Sequence, residues 1–260
     1  PDQRTNLKRM MHEDEKLPFT AHLEELRSRL VKSFIAVGAG FGICYAFKET
    51  LFEILLYPLI RVMPEGGKLI FTGIPEAFFT YLKVSFLAGI ILASPVLLYQ
   101  FWMFVAPGLY QKERRVLGPI VAVTSFFFIG GALFGYFVVF PSGFKFLLSF
   151  GADFIRTLPS MREYLDFSTK LLFIFGLLFE LPVALTGLAR LGIVSVEYLK
   201  RNRKYAVILA FVAGAFLTPD VVSMILMALP LMVLYEIGIL GAHLVSRKKD
   251  TPEASESHPA

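Results

Sequence analysis

Two glutamates sit inside long apolar runs. Glu180 interrupts residues 171–189, which otherwise hold no Lys, Arg, Asp or Glu, and Pro182 follows it closely. A carboxylate at mid-membrane depth costs roughly 2.5–3.5 kcal/mol on insertion scales, so such a group normally faces a bundle interior or a wet cavity. Its chemistry would be titration; the alternative is a protonated Glu hydrogen-bonded between helices. Pro182 frees a backbone carbonyl nearby that could recruit water. Glu236 follows Tyr235 in the last apolar run, with His243 beyond it. That approach to an interface favours a structural charge.

A second set of ionisable residues lies between the apolar runs. The entry His22-Leu23-Glu24-Glu25-Leu26-Arg27-Ser28-Arg29-Leu30 repeats leucine at helical spacing and sets Glu25 against Arg29 and Glu24 against Arg27. Periodicity alone reads this as an amphipathic helix end with surface ion pairs. Residues 106–115 place Glu113 among Lys112, Arg114 and Arg115, either a basic loop with one neutralised carboxylate or a site for a cationic ligand. Nothing else invites catalysis. A single cysteine, Cys44, allows no internal disulfide and no Cys-based zinc site, and the four histidines are scattered. No nucleophile triad, nucleotide-binding motif or metalloprotease motif is present. No enzyme, cofactor or metal is expected.

The elements that position these groups follow from composition. Of 260 residues, 55% are apolar and 18% charged, against ~25% charged in soluble domains. The mean hydropathy is +0.62, and 27 residues are Phe. This predicts an all-α integral membrane protein. Stretches largely free of charge at 33–47, 84–111, 116–144, 171–189, 205–219 and 221–246 give six spans and both termini on one side. Eighteen of the 26 Lys and Arg residues fall in the N-terminal arm, 106–115, 190–204 and the C-terminal tail. These segments are therefore expected to be cytoplasmic. The net charge of +5 reflects that topology and not nucleic-acid binding. No cleavable signal peptide is read, and the first span serves as its own insertion signal.

The expected organisation is a cytoplasmic arm over 1–19, a six-helix membrane domain over 20–247 and a disordered cytoplasmic tail over 248–260. Residues 51–60 predict a short helix at the outer interface, and 141–170 a long outer loop with some helical character. The fifth and sixth spans are expected to be short. Residues 205–219 would reach only about 22 Å along a helix. Gly38 with Gly42, and Gly131 with Gly135, have the spacing of close helix contacts.

Taken together, these residues resemble the TatC family, the large subunit of the twin-arginine protein translocase. The resemblance runs from about Pro18 to about Arg247. It is carried by the His22-to-Leu30 entry and by Ser94-Pro95-Val96 through Tyr99-Gln100-x-Trp102-x-Phe104-x-x-Pro107-Gly108-Leu109-Tyr110. Glu113-Arg114-Arg115, Phe137-Val138-Val139-Phe140-Pro141 and Phe175-Gly176-x-x-Phe179-Glu180-x-Pro182 also fit, as do Thr218-Pro219 and Pro230 with Tyr235-Glu236. It departs in having one proline, Pro219, before Asp220, and Met224 after Ser223 where members often have Gln.

The resemblance implies a receptor for signal peptides bearing two consecutive arginines. Glu25 and Glu113 would be the carboxylates that receive them, flanked by Arg27, Phe104, Leu109 and Tyr110. It further implies a concave, cupped-hand bundle in a bacterial-type cytoplasmic membrane, with Glu180 on the concave side. Pro95, Pro107, Pro182, Pro219 and Asp220 would shape the fold. Partners would be single-span proteins of the TatA/TatB type, within a hetero-complex holding several copies of this chain. Folded cargo would move on the proton-motive force. The rival class, a proton-coupled small-solute transporter with Glu180 titrating, explains a buried carboxylate. It leaves two cytoplasmic acidic sites unexplained.

Overall fold

In the computed structural model, residues 3–63, 69–71, 73–105, 114–148, 160–190, 192–217 and 221–247 are described. Within them the chain is helical apart from short turns and one isolated parallel bridge between Ile70 and Ser160. A backbone in hydrocarbon must satisfy its own polar groups, and the helix does so within one segment. The helices are α1 (Gln3–Ala46), α2 (Lys48–Ile60), α3 (Glu76–Val105), α4 (Arg114–Phe134), α5 (Phe140–Leu148), α6 (Met161–Phe179), α7 (Leu181–Arg190), α8 (Val196–Arg201), α9 (Arg203–Leu217) and α10 (Val221–Arg247). Five stretches are long and apolar enough to cross a membrane: His22–Ala46, Glu76–Phe104, Gly118–Phe146, Met161–Arg190 and Met227–Ser246. The remaining expected span, the fifth, is α9, with 15 residues. The backbone of residues 3–19 continues α1 without a break.

Several boundaries differ from the charge-free runs. The second and fourth spans start earlier than expected, because α3 includes Lys83 and α6 includes Asp166, and these two charges pair at 2.5 Å. Much of the expected loop over 141–170 is helix, in α5 and the first turns of α6. The fifth helix is short, as expected. The sixth is not: α10 has 27 residues, about 40 Å of helix. It runs through Glu236 because Arg203 Nη2 pairs with that carboxylate at 2.7 Å.

Prolines set the irregularities, and neighbouring hydroxyls repair them. A proline within a helix leaves the carbonyl four residues back without its donor. Pro95 does this to Ile91, and the buried Ser94 Oγ donates to the Ile91 carbonyl at 2.7 Å. Pro58, in the predicted short helix α2, does it to Ile54, and the Tyr136 hydroxyl donates there at 2.5 Å. The Tyr164 hydroxyl donates to the next carbonyl, Leu55, at 2.5 Å. Before Pro141 the helix widens into a π turn over Gly135–Val139, with the Phe140 N–H reaching back five residues to Gly135.

Helix contacts run in a row. The principal neighbours are α1 with α3, α3 with α4, α4 with α6, then α7 with α10 and α10 with α9. The α1–α3 crossing is at Gly40 and Gly89, where a Cβ on Gly40 would lie 2.6 Å from the Gly89 carbonyl oxygen. Gly38 and Gly42, the pair picked out by spacing, meet nothing within 4 Å. They lie one or two residues from the contact and so point elsewhere around the helix. Gly131 packs directly on Phe175 and Phe179, and Gly135 touches Phe175 more loosely. The main core gathers Leu59, Phe140, Leu165, Leu171 and Phe175 from α2, α5 and α6, each almost fully buried.

Candidate functional site

Two neighbouring helix ends carry the first candidate group. Glu25 lies in α1 after His22, and Phe104 lies one residue before the end of α3. The rings of His22 and Phe104 stack, with centroids 4.5 Å apart and 18° between planes. This fixes the start of the apolar part of α1 against the end of α3. Arg29 donates to Glu25 Oε1 from Nε at 3.0 Å and also from Nη2. The expected i,i+4 pair is thus formed. Glu24 and Arg27 make no such pair among the described residues, and both are exposed.

The Glu25–Arg29 pair is unevenly covered. The Arg29 side chain is 14% exposed and that of Glu25 32%. Among the described residues, Glu25 Oε2 has only His22 Nδ1 near it, at 4.0 Å. One carboxylate oxygen is therefore held within the helix while the other stays available beside an aromatic stack. A partly exposed carboxylate oxygen of this kind accepts hydrogen bonds from a cation and gains more from a guanidinium than from a point charge. Of the other residues assigned to this site, Glu113, Leu109 and Tyr110 lie outside the described residues, as do Pro107, Pro219 and Asp220. Glu113 directly precedes Arg114, the first residue of α4, and α4 packs on α3.

Glu180 stands at an interruption and not in mid-helix. The fourth span bends there: α6 ends at Phe179 and α7 begins at Leu181. Pro182 accounts for the break, since it has no N–H to donate to the Leu178 carbonyl. Glu180 is half-buried, and its Oε1 is fully buried without a hydrogen-bond partner among the described residues. Beside it, Phe134, Val138 and Phe179 face Leu229, Val233 and Ile237 across an apolar cleft of about 460 Å³. Glu236, by contrast, is half-exposed and paired with Arg203, while the Tyr235 hydroxyl donates to the Leu199 carbonyl at 2.9 Å. Together they pin α8 and α9 to α10.

The sequence reading missed one polar group. Glu76 is 8% exposed, and its carboxylate accepts from the backbone N–H of Gly73 at 3.0 Å and of Arg162 at 2.7 Å. It thereby satisfies a free donor at the start of α6 from the start of α3. An acidic residue placed directly after Gly73-Ile74-Pro75 at the mouth of a long apolar run was the available signal.

Comparison with known proteins agrees along nearly the whole chain. The family model for the Sec-independent protein translocase protein (TatC) matches residues 21–230. The Sec-independent protein translocase protein TatC of Desulforapulum autotrophicum is 61% identical over 94% of this chain and 91% of its own length. That of Aquifex aeolicus is 43% identical over 90% of this chain and 98% of its own. A crystal structure of the twin arginine translocase receptor TatC superposes with a TM-score of 0.76 at 43% identity, covering 87% of this chain and all of the other. These findings give the solute-transporter alternative no support. With a family model covering most of its length and relatives this similar, the chain belongs to the TatC family of protein translocase components, a transport family and not an enzyme family.

Proposed function

We propose that the chain is the signal-peptide receptor of a twin-arginine translocase, with Glu25 and Glu113 as the acceptors of the two arginines. The observation that carries this is the Glu25 carboxylate: partly exposed, at the end of the apolar part of α1, with Oε2 unclaimed among the described residues beside the His22–Phe104 stack. Glu113 enters through the family pattern and its place directly before α4, a neighbour of α3. Two arginines carry two planar forks, and two separated carboxylates would each take one. Arg27, Leu109 and Tyr110 flank the site in this reading, and Phe104 offers a ring face to a cation.

The distribution of Lys and Arg supports a cytoplasmic position for this end of the helices and for both termini. It supports residues 20–247 as the membrane domain, between a cytoplasmic arm and tail. Single-span partners of the TatA/TatB type would dock along α9 and α10. There Leu209, Val212, Leu229 and Val233 are each at least half exposed, an apolar face suited to lipid or to another helix. Several copies of the chain would share one hetero-complex. The proton-motive force would drive passage of folded cargo, with Glu180 the intramembrane carboxylate available to respond.

Binding of a synthetic Arg-Arg signal peptide to the purified full chain tests the assignment. Glu25→Lys and Glu113→Lys should each abolish binding without loss of folded protein, and a Lys-Lys peptide should bind the unaltered chain far more weakly. Unchanged affinity in both variants would remove these two residues from the site.

A further inference from the structure

At the opposite end of α3 from Phe104 lies an open cavity of about 470 Å³, mixed in polarity, with Glu76, Phe79, Thr80, Lys83 and Arg162 among its lining residues. Two membrane spans begin here, Glu76–Phe104 and Met161–Arg190. The cavity therefore sits where hydrocarbon gives way to headgroups. Its charges are not equivalent. The Glu76 carboxylate is engaged by the backbone N–H groups of Gly73 and Arg162. The Lys83 ammonium gives one donor to Asp166 at 2.5 Å and keeps two more. The Arg162 side chain is exposed and has no ion-pair partner among the described residues, while its backbone is held in place by Glu76. Around this polar group the surface is apolar: Phe78 and Phe79 are each more than half exposed, and Ile74 is fully so.

We propose that this cavity binds the phosphate of a lipid headgroup, with the Arg162 guanidinium and the Lys83 ammonium as donors and the acyl chains running past Phe79. A guanidinium fork matches phosphate oxygens. A cation fixed at the interface beside exposed aromatic rings suits a molecule that is ionic at one end and apolar at the other. Free inorganic phosphate shares the headgroup's chemistry and lacks the chains, so it gains nothing from the rings. The inference is independent of the signal-peptide site, which lies at the other end of α3.

The test is lipid binding to the purified full chain in detergent, read by native mass spectrometry. The probes are phosphatidylglycerol, a diacylglycerol with the same chains, and inorganic phosphate. The expected result is retention of phosphatidylglycerol over diacylglycerol, with no displacement by millimolar phosphate. Arg162→Gln, which keeps the backbone N–H that Glu76 holds, should weaken phosphatidylglycerol binding about tenfold, the scale of one hydrogen bond to a charged group. Arg162→Lys should retain most of it. Equal retention of the two lipids by the unaltered chain would overturn the proposal. So would undiminished binding in a folded Arg162→Gln protein, or displacement by phosphate, which would mark a free-anion site. Should Arg162→Gln not fold, the comparison of lipids on the unaltered chain and on Arg162→Lys decides.

Discussion

Arg29 donates to a single oxygen of Glu25, from both Nε and Nη2, and among the described residues leaves the other oxygen without a hydrogen bond. An incoming guanidinium meets half a carboxylate, with a resident cation behind it. Replacing Arg29 by Gln removes that cation and frees Oε1 for a two-pronged contact. Affinity for an Arg-Arg peptide should rise several-fold, and the margin over a Lys-Lys peptide should widen, because only guanidinium uses both oxygens. Titration calorimetry with both peptides measures this. Identical affinities and margin would mean that Arg29 yields its place at no free-energy cost.

The Ser94–Pro95 pair makes a stability prediction that can be cross-checked within itself. Ser94→Ala leaves the Ile91 carbonyl without its donor at a buried serine and should destabilise by about 1–3 kcal/mol. Pro95→Ala restores a backbone N–H to that carbonyl. In the Pro95→Ala background most of the Ser94→Ala cost should vanish. Denaturation of the four proteins of this cycle measures the coupling. Additive costs would show that the hydroxyl and the proline act separately.

At the α1–α3 crossing, Gly40→Val should destabilise by about 1–3 kcal/mol through overpacking, since a Cβ there meets the Gly89 backbone. Gly38→Val, only two residues away, meets open space and should be tolerated. Thermal melts in detergent compare them. Equal losses would place the contact elsewhere on α1.

The 15 residues of α9 span about 22 Å, short of a ~30 Å hydrocarbon core. With the basic run from Lys200 to Lys204 held at the headgroups, local thinning of the bilayer or entry of water would match this length, against the alternative of a short helix shielded by its neighbours. Inserting one apolar turn into α9 should lower cargo transport several-fold while leaving signal-peptide affinity unchanged. Transport into inverted vesicles and peptide binding are the paired measurements. Normal transport by the lengthened protein would make the mismatch irrelevant to function.

The apolar runs disclosed the helices but not where they begin, because Lys83 and Asp166 neutralise one another inside elements that a charge-free criterion cuts short. The break at Glu180 was foreshadowed by Pro182, whereas the rescue of Ile54 by Tyr136 joins residues far apart in sequence and leaves no local trace. At the candidate site the Glu25–Arg29 pair was legible from helical spacing. The stack of His22 on Phe104 was not, since it depends on how α1 crosses α3, and the crossing is set by Gly40 and Gly89, outside any spacing motif. The family pattern singled out Glu25 and Glu113 where periodicity saw only solvated charge.

The row of helix contacts has a mechanical meaning. A ring offers two equal routes between its members, whereas this row offers one principal route with minor bypasses, α3 on α6 and Leu178 and Phe179 of α6 on α10. Between the α1 end, with Glu25, and the α9 end, the principal packing passes through α3, α4, α6, α7 and α10 in turn. The joint between α6 and α7 differs from the rest in being an interrupted helix, with Glu180 at the break. Past the break, α7 packs chiefly on α10 and hardly on α6, so the second half of the fourth span belongs mechanically with α8, α9 and α10 and its first half with α3 and α4.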